Sequence, residues 1–158
     1  MAIGATVREI SICCLVQRLQ FSGDDLISRL RALDSTDRYK IPDGELSVAL
    51  LDDDTVRVMH GEFLGDTSST DVITFPGDPG ENFAGEICLS VEYAAQSAND
   101  RKIDISDELM LYIIHGWLHL AGLRDGTAEE AAAMRDGESY LLNFLRDNNF
   151  SGKIFRFE

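Results

Sequence analysis

Cysteine, proline and positive charge are scarce in this sequence, and no long apolar run interrupts it. Three cysteines and three prolines occur among 158 residues. An odd number of cysteines does not indicate a disulfide framework, and we predict that Cys13, Cys14 and Cys88 are core residues. The longest apolar stretches, residues 10–16 and 109–123, are too short or too interrupted for the roughly 18 residues of a membrane span. We therefore expect no membrane contact.

The shortage of basic residues limits what the chain can bind. It has 14 Lys and Arg against 28 Asp and Glu, a formal net charge of −14. Nucleic acid repels such a chain on average, because nucleic-acid binding normally uses a basic patch. We expect no DNA binding, and an RNA-binding role needs a local group of Arg and Lys or delivery by a partner.

Length and composition predict one ordinary globular domain over residues 1–158. The chain is 44% hydrophobic and 27% charged, which is typical of globular proteins, and it is long enough to bury a substantial core. No basic segment followed by an apolar segment opens the sequence, so we predict no secretory signal and expect a cytoplasmic protein.

The apolar patterns predict an α+β fold. Strands are predicted at residues 7–16, 45–51, 70–76 and 84–90. Helices are predicted at residues 24–33, 52–63, 91–99, from the N-cap Ser106 to about 121, and from the capping box at Thr127 to about 147. We predict loops at residues 34–44, 64–69 and 77–80, and a loosely held tail at 150–158. From this order of strands and helices we predict a small mixed sheet packed with helices. The helix at 106–121 is predicted to be central and buried.

The central helix carries a pattern typical of a metal site, HxxxHxxGxxD. Its histidines, His115 and His119, share one helix face. Gly122 can adopt the left-handed conformation that ends a helix, which would return Asp125 toward the two imidazoles. Two nitrogens and one carboxylate leave a fourth coordination position open, and an open position distinguishes catalytic zinc from structural zinc.

An HxxxH pair alone also occurs on many helices without a metal. Here the chain has only three histidines, and two of them lie in a strongly apolar segment. A buried imidazole without a partner costs about 1–3 kcal/mol, which favours a ligand pair over unpartnered rings. We interpret the third, His60, as a surface residue at a helix end.

Three motifs together resemble the bacterial YbeY family of rRNA maturation factors. They are residues 69–76 (STDVITFP), residues 85–87 (GEI) and residues 115–122 (HGWLHLAG). The resemblance implies a metal-dependent, usually zinc-dependent, endoribonuclease specific for single strands, acting in the cytoplasm in small-subunit rRNA maturation and ribosome quality control. It also implies rRNA and small-subunit ribosomal proteins as partners.

The resemblance implies the metal ligands position by position. His115 and His119 match the first two ligands of the family, and Asp125 occupies the third position, usually a histidine. Aspartate is a competent zinc ligand, but its extra negative charge makes the metal a weaker Lewis acid. Leu64 stands where many members have an arginine, so the expected phosphate-binding cation is missing there.

Two further residues are candidates for catalysis. Arg124, next to the third ligand, could stabilise charge that builds on a phosphate. Glu86 could transfer a proton, and its alternative interpretation is a structural hydrogen-bond acceptor. Other basic residues that could bind phosphate, or simply be solvated, are Arg57, Arg101 and Lys102.

Two rival functions remain open at this point. A zinc peptidase would share the ligand spacing, but it needs a glutamate directly after the first histidine, where this chain has Gly116. A non-catalytic assembly factor that binds metal for stability is the other rival. The acidic chain favours it, because contact with basic ribosomal proteins would be electrostatically favourable.

Overall fold

The computed structural model describes residues 7–64 and 71–158. The strands are β1 Ile10–Cys14, β2 Leu19–Phe21, β3 Glu45–Leu51, β4 Val72–Asp78, β5 Phe83–Ser90 and β6 Phe155–Phe157. The helices are α1 Gly23–Asp34, α2 Asp53–Leu64, α3 Val91–Arg101, α4 Ile105–Leu120 and α5 Ala128–Asp147, with a short 3-10 helix at Pro79–Glu81. Within these ranges, none of the helices combines the length and apolar character that crossing a bilayer requires.

The main sheet is mixed, as predicted. Its strand order is β1-β3-β5-β4. β1, β3 and β5 run parallel, and β4 pairs with β5 in the antiparallel direction at one edge. The prediction of an α+β fold with a small mixed sheet is confirmed. β4 continues to Asp78, so residues 77 and 78 extend the strand where we predicted the start of a turn.

Two apolar clusters cover the two faces of this sheet. The larger joins one face to α1, α4 and α5 and includes Ile87, Leu89 and Trp117. The smaller joins the opposite face to α2 and includes Val56, Ile73 and Cys88. Successive residues of a strand point to opposite faces, so Ile87 and Cys88 belong to different clusters. The histidine helix α4 therefore lies on one face of the sheet and α2 on the other.

α4 is the central buried helix that the pattern predicts, and it lies unusually close to β5. A Cβ atom at Gly116 would lie 2.6 Å from Cγ2 of Ile87, and a Cβ atom at Gly85 would lie 2.5 Å from Cδ2 of Leu120. Only glycine allows contact of this kind. Trp117 is fully buried, and its Nε1–H donates to the carbonyl of Tyr39 over 2.9 Å.

Two predictions about α4 and the chain end were wrong. The N-cap of α4 is Asp104, whose carboxylate accepts from the Ser106 N–H. Ser106 lies inside the helix, where its hydroxyl bonds the backbone N–H and carbonyl of Phe155. The predicted loose tail instead contains β6, which pairs with the unpredicted strand β2. Distant pairing of short segments leaves no local sequence signal.

Other local predictions had mixed outcomes. The Thr127 capping box is present with both of its hydrogen bonds. Leu64 ends α2, and residues 65–70, which include most of the predicted loop, lie outside the described residues.

Cys88 is buried as predicted, Cys14 is half-buried, and Cys13 is exposed, contrary to the prediction. Cys13 points away from α4 on the edge strand β1, where α2 does not cover it.

The pairing of β6 leads to a stability prediction. Phe155 is buried, with its ring centroid 5.4 Å from that of Phe21. Phe155→Ala should lower the free energy of unfolding by about 3–5 kcal/mol because it empties a packed site. Urea denaturation measures this change. Arg156→Ala, its exposed neighbour, is the control and should change the value by less than about 0.5 kcal/mol. Equal losses for the two variants would contradict the burial of this segment.

Candidate metal centre

The two histidines lie in the last turns of α4, on the face that is not pressed against β5. Gly116, between them in sequence, faces Ile87 of the sheet. Residues one turn apart share a face, so the rings of His115 and His119 come together. Their side chains are 21% and 28% exposed, which leaves both rings accessible at the end of an otherwise buried helix.

The turn after α4 returns the chain to the histidines, as the sequence predicts. Gly122 has φ +101°, and its N–H donates to the carbonyl of His119. The Leu123 N–H donates to the carbonyl of Leu118. These two bonds form a Schellman motif, which glycine favours because the left-handed conformation lacks a Cβ penalty there. The turn places Asp125 beside the two imidazoles.

Three potential ligand atoms converge at this point. Nε2 of His115 lies 3.0 Å from Nε2 of His119. Oδ2 of Asp125 lies 3.2 Å from the first of these nitrogens and 3.7 Å from the second. Ligands about 2.0–2.2 Å from a tetrahedral zinc lie roughly 3.3–3.6 Å from one another, so this triangle is close to the size that zinc needs. Among the described residues, these three form the one group with metal-ligand geometry.

Each histidine also has a second partner at its other ring nitrogen. Nδ1 of His119 lies 3.0 Å from the carbonyl of Leu123, and Nδ1 of His115 lies 3.2 Å from Oε2 of Glu138. A carbonyl only accepts, so Nδ1 of His119 carries the hydrogen and its Nε2 presents a lone pair. Histidines that bind metals characteristically have such a carbonyl or carboxylate partner, which fixes the tautomer.

The three atoms of the triangle form an electronegative centre that suits a cation. With both Nδ1 atoms donating, the two Nε2 atoms and Oδ2 of Asp125 are all acceptors facing one another. The hydrogen bond to Glu138 raises the pKa of His115, against the opposing effect of burial. A divalent cation at the centre of the triangle would be attracted by all three atoms. The residues present fit a zinc ion.

A cleft of about 490 Å³ opens directly onto this group. One wall is the edge strand β4, and the others include the end of α4 and Asp125. The Asp125 side chain is 47% exposed, so the site is open on that side. The residues along the β4 wall are Asp71, Val72, Ile73, Thr74, Pro76 and Gly77. A ligand in the cleft would have direct access to a metal held by the three side chains.

The two candidate catalytic residues lie in different places. Arg124 is exposed on the turn that carries Asp125, next to the site. Glu86 points to the face of the sheet opposite α4, because its neighbour Ile87 contacts Gly116. There it accepts a hydrogen bond from Sγ of Cys88 over 3.1 Å, and burial, with the Glu86 contact, raises the pKa of that thiol. This position favours the structural interpretation of Glu86.

The other basic residues and His60 also lie away from the triangle. Arg101 donates to the buried carboxylate of Glu108 over 2.7 Å, and Lys102 ends α3 in a left-handed conformation. Arg57 and His60 are on α2, which covers the opposite face of the sheet. None of the residues described as lining the cleft is lysine or arginine.

Gly116 separates this site structurally from a zinc peptidase. The glutamate of such enzymes would have to occupy a position where even a Cβ atom meets Ile87 at 2.6 Å. That position also faces the sheet instead of the cleft. A glutamate at residue 116 would therefore disturb the packing of α4 before it could act as a base.

Sequence reasoning missed two residues at this site. Glu138 lies on α5 and follows Gly137, where an added Cβ atom would lie only 3.0 Å from Cδ2 of Leu118 on α4. A glycine beside a glutamate in a helix was the available signal, although it does not identify the partner. Asp71 lines the cleft and contributes to the raised pKa of His115. Its proximity depends on how β4 lies beside α4.

Comparisons with known proteins identify the family to which this sequence is similar. A family model described as Endoribonuclease YbeY matches residues 22–146. A protein named Endoribonuclease YbeY from Porphyromonas gingivalis is 34% identical over 110 residues, covering 70% of this chain and 73% of its own length. One of the same name from Chlamydia abortus is 34% identical over 119 residues, covering 70% and 75%.

A solved structure shares the fold. The solution structure of TM1509 from Thermotoga maritima matches with a TM-score of 0.58 at 24% identity, covering 90% of this chain and 95% of that one. The family model spans most of the sequence, from α1 to the end of α5, and includes all three potential ligands. The chain therefore belongs to the endoribonuclease YbeY family.

Proposed function

We propose that this protein is a zinc-dependent endoribonuclease that cuts single-stranded RNA. The observation that carries the proposal is the convergence of Nε2 of His115, Nε2 of His119 and Oδ2 of Asp125 at an open cleft. Membership of a family whose relatives are named endoribonucleases supports RNA as the substrate. The open coordination position supports catalysis over a purely structural metal.

The three ligand atoms would hold the ion and the rest of the site would orient them. When bound, zinc supplies Lewis acidity, which lowers the pKa of water and draws charge from a phosphoryl oxygen. Glu138 and the Leu123 carbonyl fix the ring orientations and tautomers of the two histidines. Arg124, exposed beside Asp125, would balance the charge of a phosphate bound next to the metal.

We further propose small-subunit rRNA as the RNA and the cytoplasm as the place of action. The family resemblance supports both. The chain's charge of −14 makes capture of free RNA unfavourable, which favours RNA presented by a ribosomal particle. Basic small-subunit proteins would be attracted to the same acidic surface and would bring the RNA to the cleft.

A non-catalytic assembly factor is the second candidate. The observation that favours it is the absence of lysine and arginine from the described lining of the cleft. Tightly bound zinc without any RNA cleavage, together with binding to small-subunit particles, would support this candidate. Cleavage that disappears with the metal, while particle binding persists, would support the nuclease.

The nuclease proposal predicts the effect of His119→Ala. One ligand is lost, so the variant should lack the single zinc ion per chain and should no longer cleave a single-stranded oligoribonucleotide. Elemental analysis and gel-based cleavage assays measure the two properties. His60→Ala is the matched control, since His60 lies on α2 across the sheet, and it should retain both. Cleavage that survives in His119→Ala and in chelated wild type would refute the metal mechanism.

The third ligand predicts a shift in pH dependence. Asp125→Ala should reduce zinc content, whereas Asp125→His should keep it because imidazole also binds zinc. Replacing the carboxylate removes one negative charge beside the metal and makes it a stronger Lewis acid. The rise of cleavage rate with pH should therefore occur at lower pH in Asp125→His than in wild type. An unchanged or upward-shifted pH–rate profile would contradict this role of Asp125.

The Glu138 contact predicts a smaller loss of metal affinity. Glu138→Ala should weaken zinc binding by about 10- to 100-fold because His115 loses its orienting carboxylate. Competition with a chromogenic chelator measures the affinity. Asp136→Ala is the control, an exposed acid on the same helix, and should bind zinc as wild type does. If both variants lose affinity equally, the effect is general charge and not the contact with His115.

A further inference from the structure

Thr74 lies on β4 opposite Ile87, on the face of the sheet that α4 covers. Its neighbours Ile73 and Phe75 belong to the apolar cluster under α2, so the alternation of the strand turns Thr74 toward α4. Thr74 lines the same cleft as His115 and His119. The Thr74 side chain is therefore part of the β4 wall of the cleft.

The hydroxyl of Thr74 is buried and finds no hydrogen-bond partner in the part of the chain that the structure describes. Among the described residues, its Oγ1 is the single buried side-chain oxygen or nitrogen without a hydrogen bond. Folded proteins avoid such atoms because the lost hydration is not replaced. Thr36 shows the ordinary arrangement, since its buried hydroxyl lies 3.1 Å from the Leu33 carbonyl and 2.5 Å from the Arg38 carbonyl.

The backbone N–H of Thr74 is a second donor, and it lies at the edge of the sheet. The Ser90 N–H donates to the Asp71 carbonyl, which makes this opposed pair a hydrogen-bonded one. Pairs alternate along an antiparallel ladder, so the Thr74 and Ile87 pair is a non-bonded one. The N–H of Thr74 consequently points away from β5, toward the open edge of the sheet. Both donors of Thr74 are directed away from the sheet interior.

The cleft offers few charged hydrogen-bond donors, and the Thr74 hydroxyl would add a neutral one. None of the residues described along it is lysine or arginine, and Asp71 and Asp125 add negative charge. A phosphodiester there would need hydrogen-bond donors for the oxygen that does not face the metal. An unpartnered hydroxyl in a wall without cations meets that need.

We propose that Thr74 is a substrate-contacting residue whose hydroxyl, covered in this structure, turns to the cleft by rotation about χ1 and donates a hydrogen bond to a non-bridging oxygen of a phosphodiester beside His115, His119 and Asp125. This inference rests on the proposed RNA cleavage and adds a residue to it. The strand carrying Thr74 would thereby act as the wall that orients the phosphate, while α4 and its turn carry the three residues that would hold a metal. The Thr74 N–H at the open edge would support the same phosphate or its neighbour.

The test compares activity with stability in three variants of the full chain. Thr74→Val removes the hydroxyl at nearly constant shape, Thr74→Ser keeps it, and Thr36→Val removes a buried hydroxyl that is already bonded within the protein. For each variant we would measure kcat and KM on a single-stranded oligoribonucleotide, zinc content, and the Tm of the metal-free protein.

The inference predicts opposite behaviour at the two threonines. Thr74→Val should lose about 10²-fold or more in kcat with unchanged zinc content, and its metal-free Tm should equal or exceed that of wild type. Thr74→Ser should keep most of the activity. Thr36→Val should keep wild-type kcat but lower the Tm by roughly 2–8 °C.

Two outcomes would overturn the inference. Wild-type kcat in Thr74→Val would show that the hydroxyl does not contact the substrate. A fall in Tm in Thr74→Val as large as that in Thr36→Val would show that the Thr74 hydroxyl stabilises the fold and is not held for a substrate. Failure of the wild type itself to cut RNA would be a different result, because it rejects the proposed nuclease function before the variants are compared.

Discussion

The close contact between α4 and β5 is the constraint on which the rest of the structure depends. Gly116 and Gly85 remove the two Cβ atoms that would otherwise separate the helix from the strand. With the helix pressed onto the sheet on this face, the histidines must point sideways, toward the edge strand β4 and its cleft. The packing that stabilises the core also sets the direction of the candidate ligands.

The candidate metal site consists of hydrogen-bond acceptors, which suit a metal ion. None of the residues described along its cleft is lysine or arginine. Two ring nitrogens and a carboxylate converge, and Glu138 and Leu123 orient the rings from behind. Such a group binds a divalent ion well but repels a phosphate until the ion is present. In a chain with a net charge of −14, the metal would be the principal positive charge available to an RNA substrate.

Local signals predicted much of the fold and of the site. Glu45–Leu51 was predicted with its observed ends, and the α5 capping box was found because its hydrogen bonds join residues three apart. The HxxxHxxGxxD spacing anticipated the Gly122 turn and the return of Asp125. The prediction failed where partners are distant: β2 and β6 lie far apart in sequence, and Ser106 serves Phe155 instead of capping its own helix.

The sequence alone determined which residues could bind a metal, because helical periodicity and the conformational freedom of glycine act within a few positions of one another. Only the tertiary structure decided what surrounds them. The packing of α5 against α4 places Glu138 behind His115. The packing of β5 and β4 around α4 turns Glu86 to the other face of the sheet and leaves the Thr74 hydroxyl without a partner among the described residues. These contacts join residues that are distant in the chain. Local sequence patterns relate only residues a few positions apart, so they do not predict such contacts.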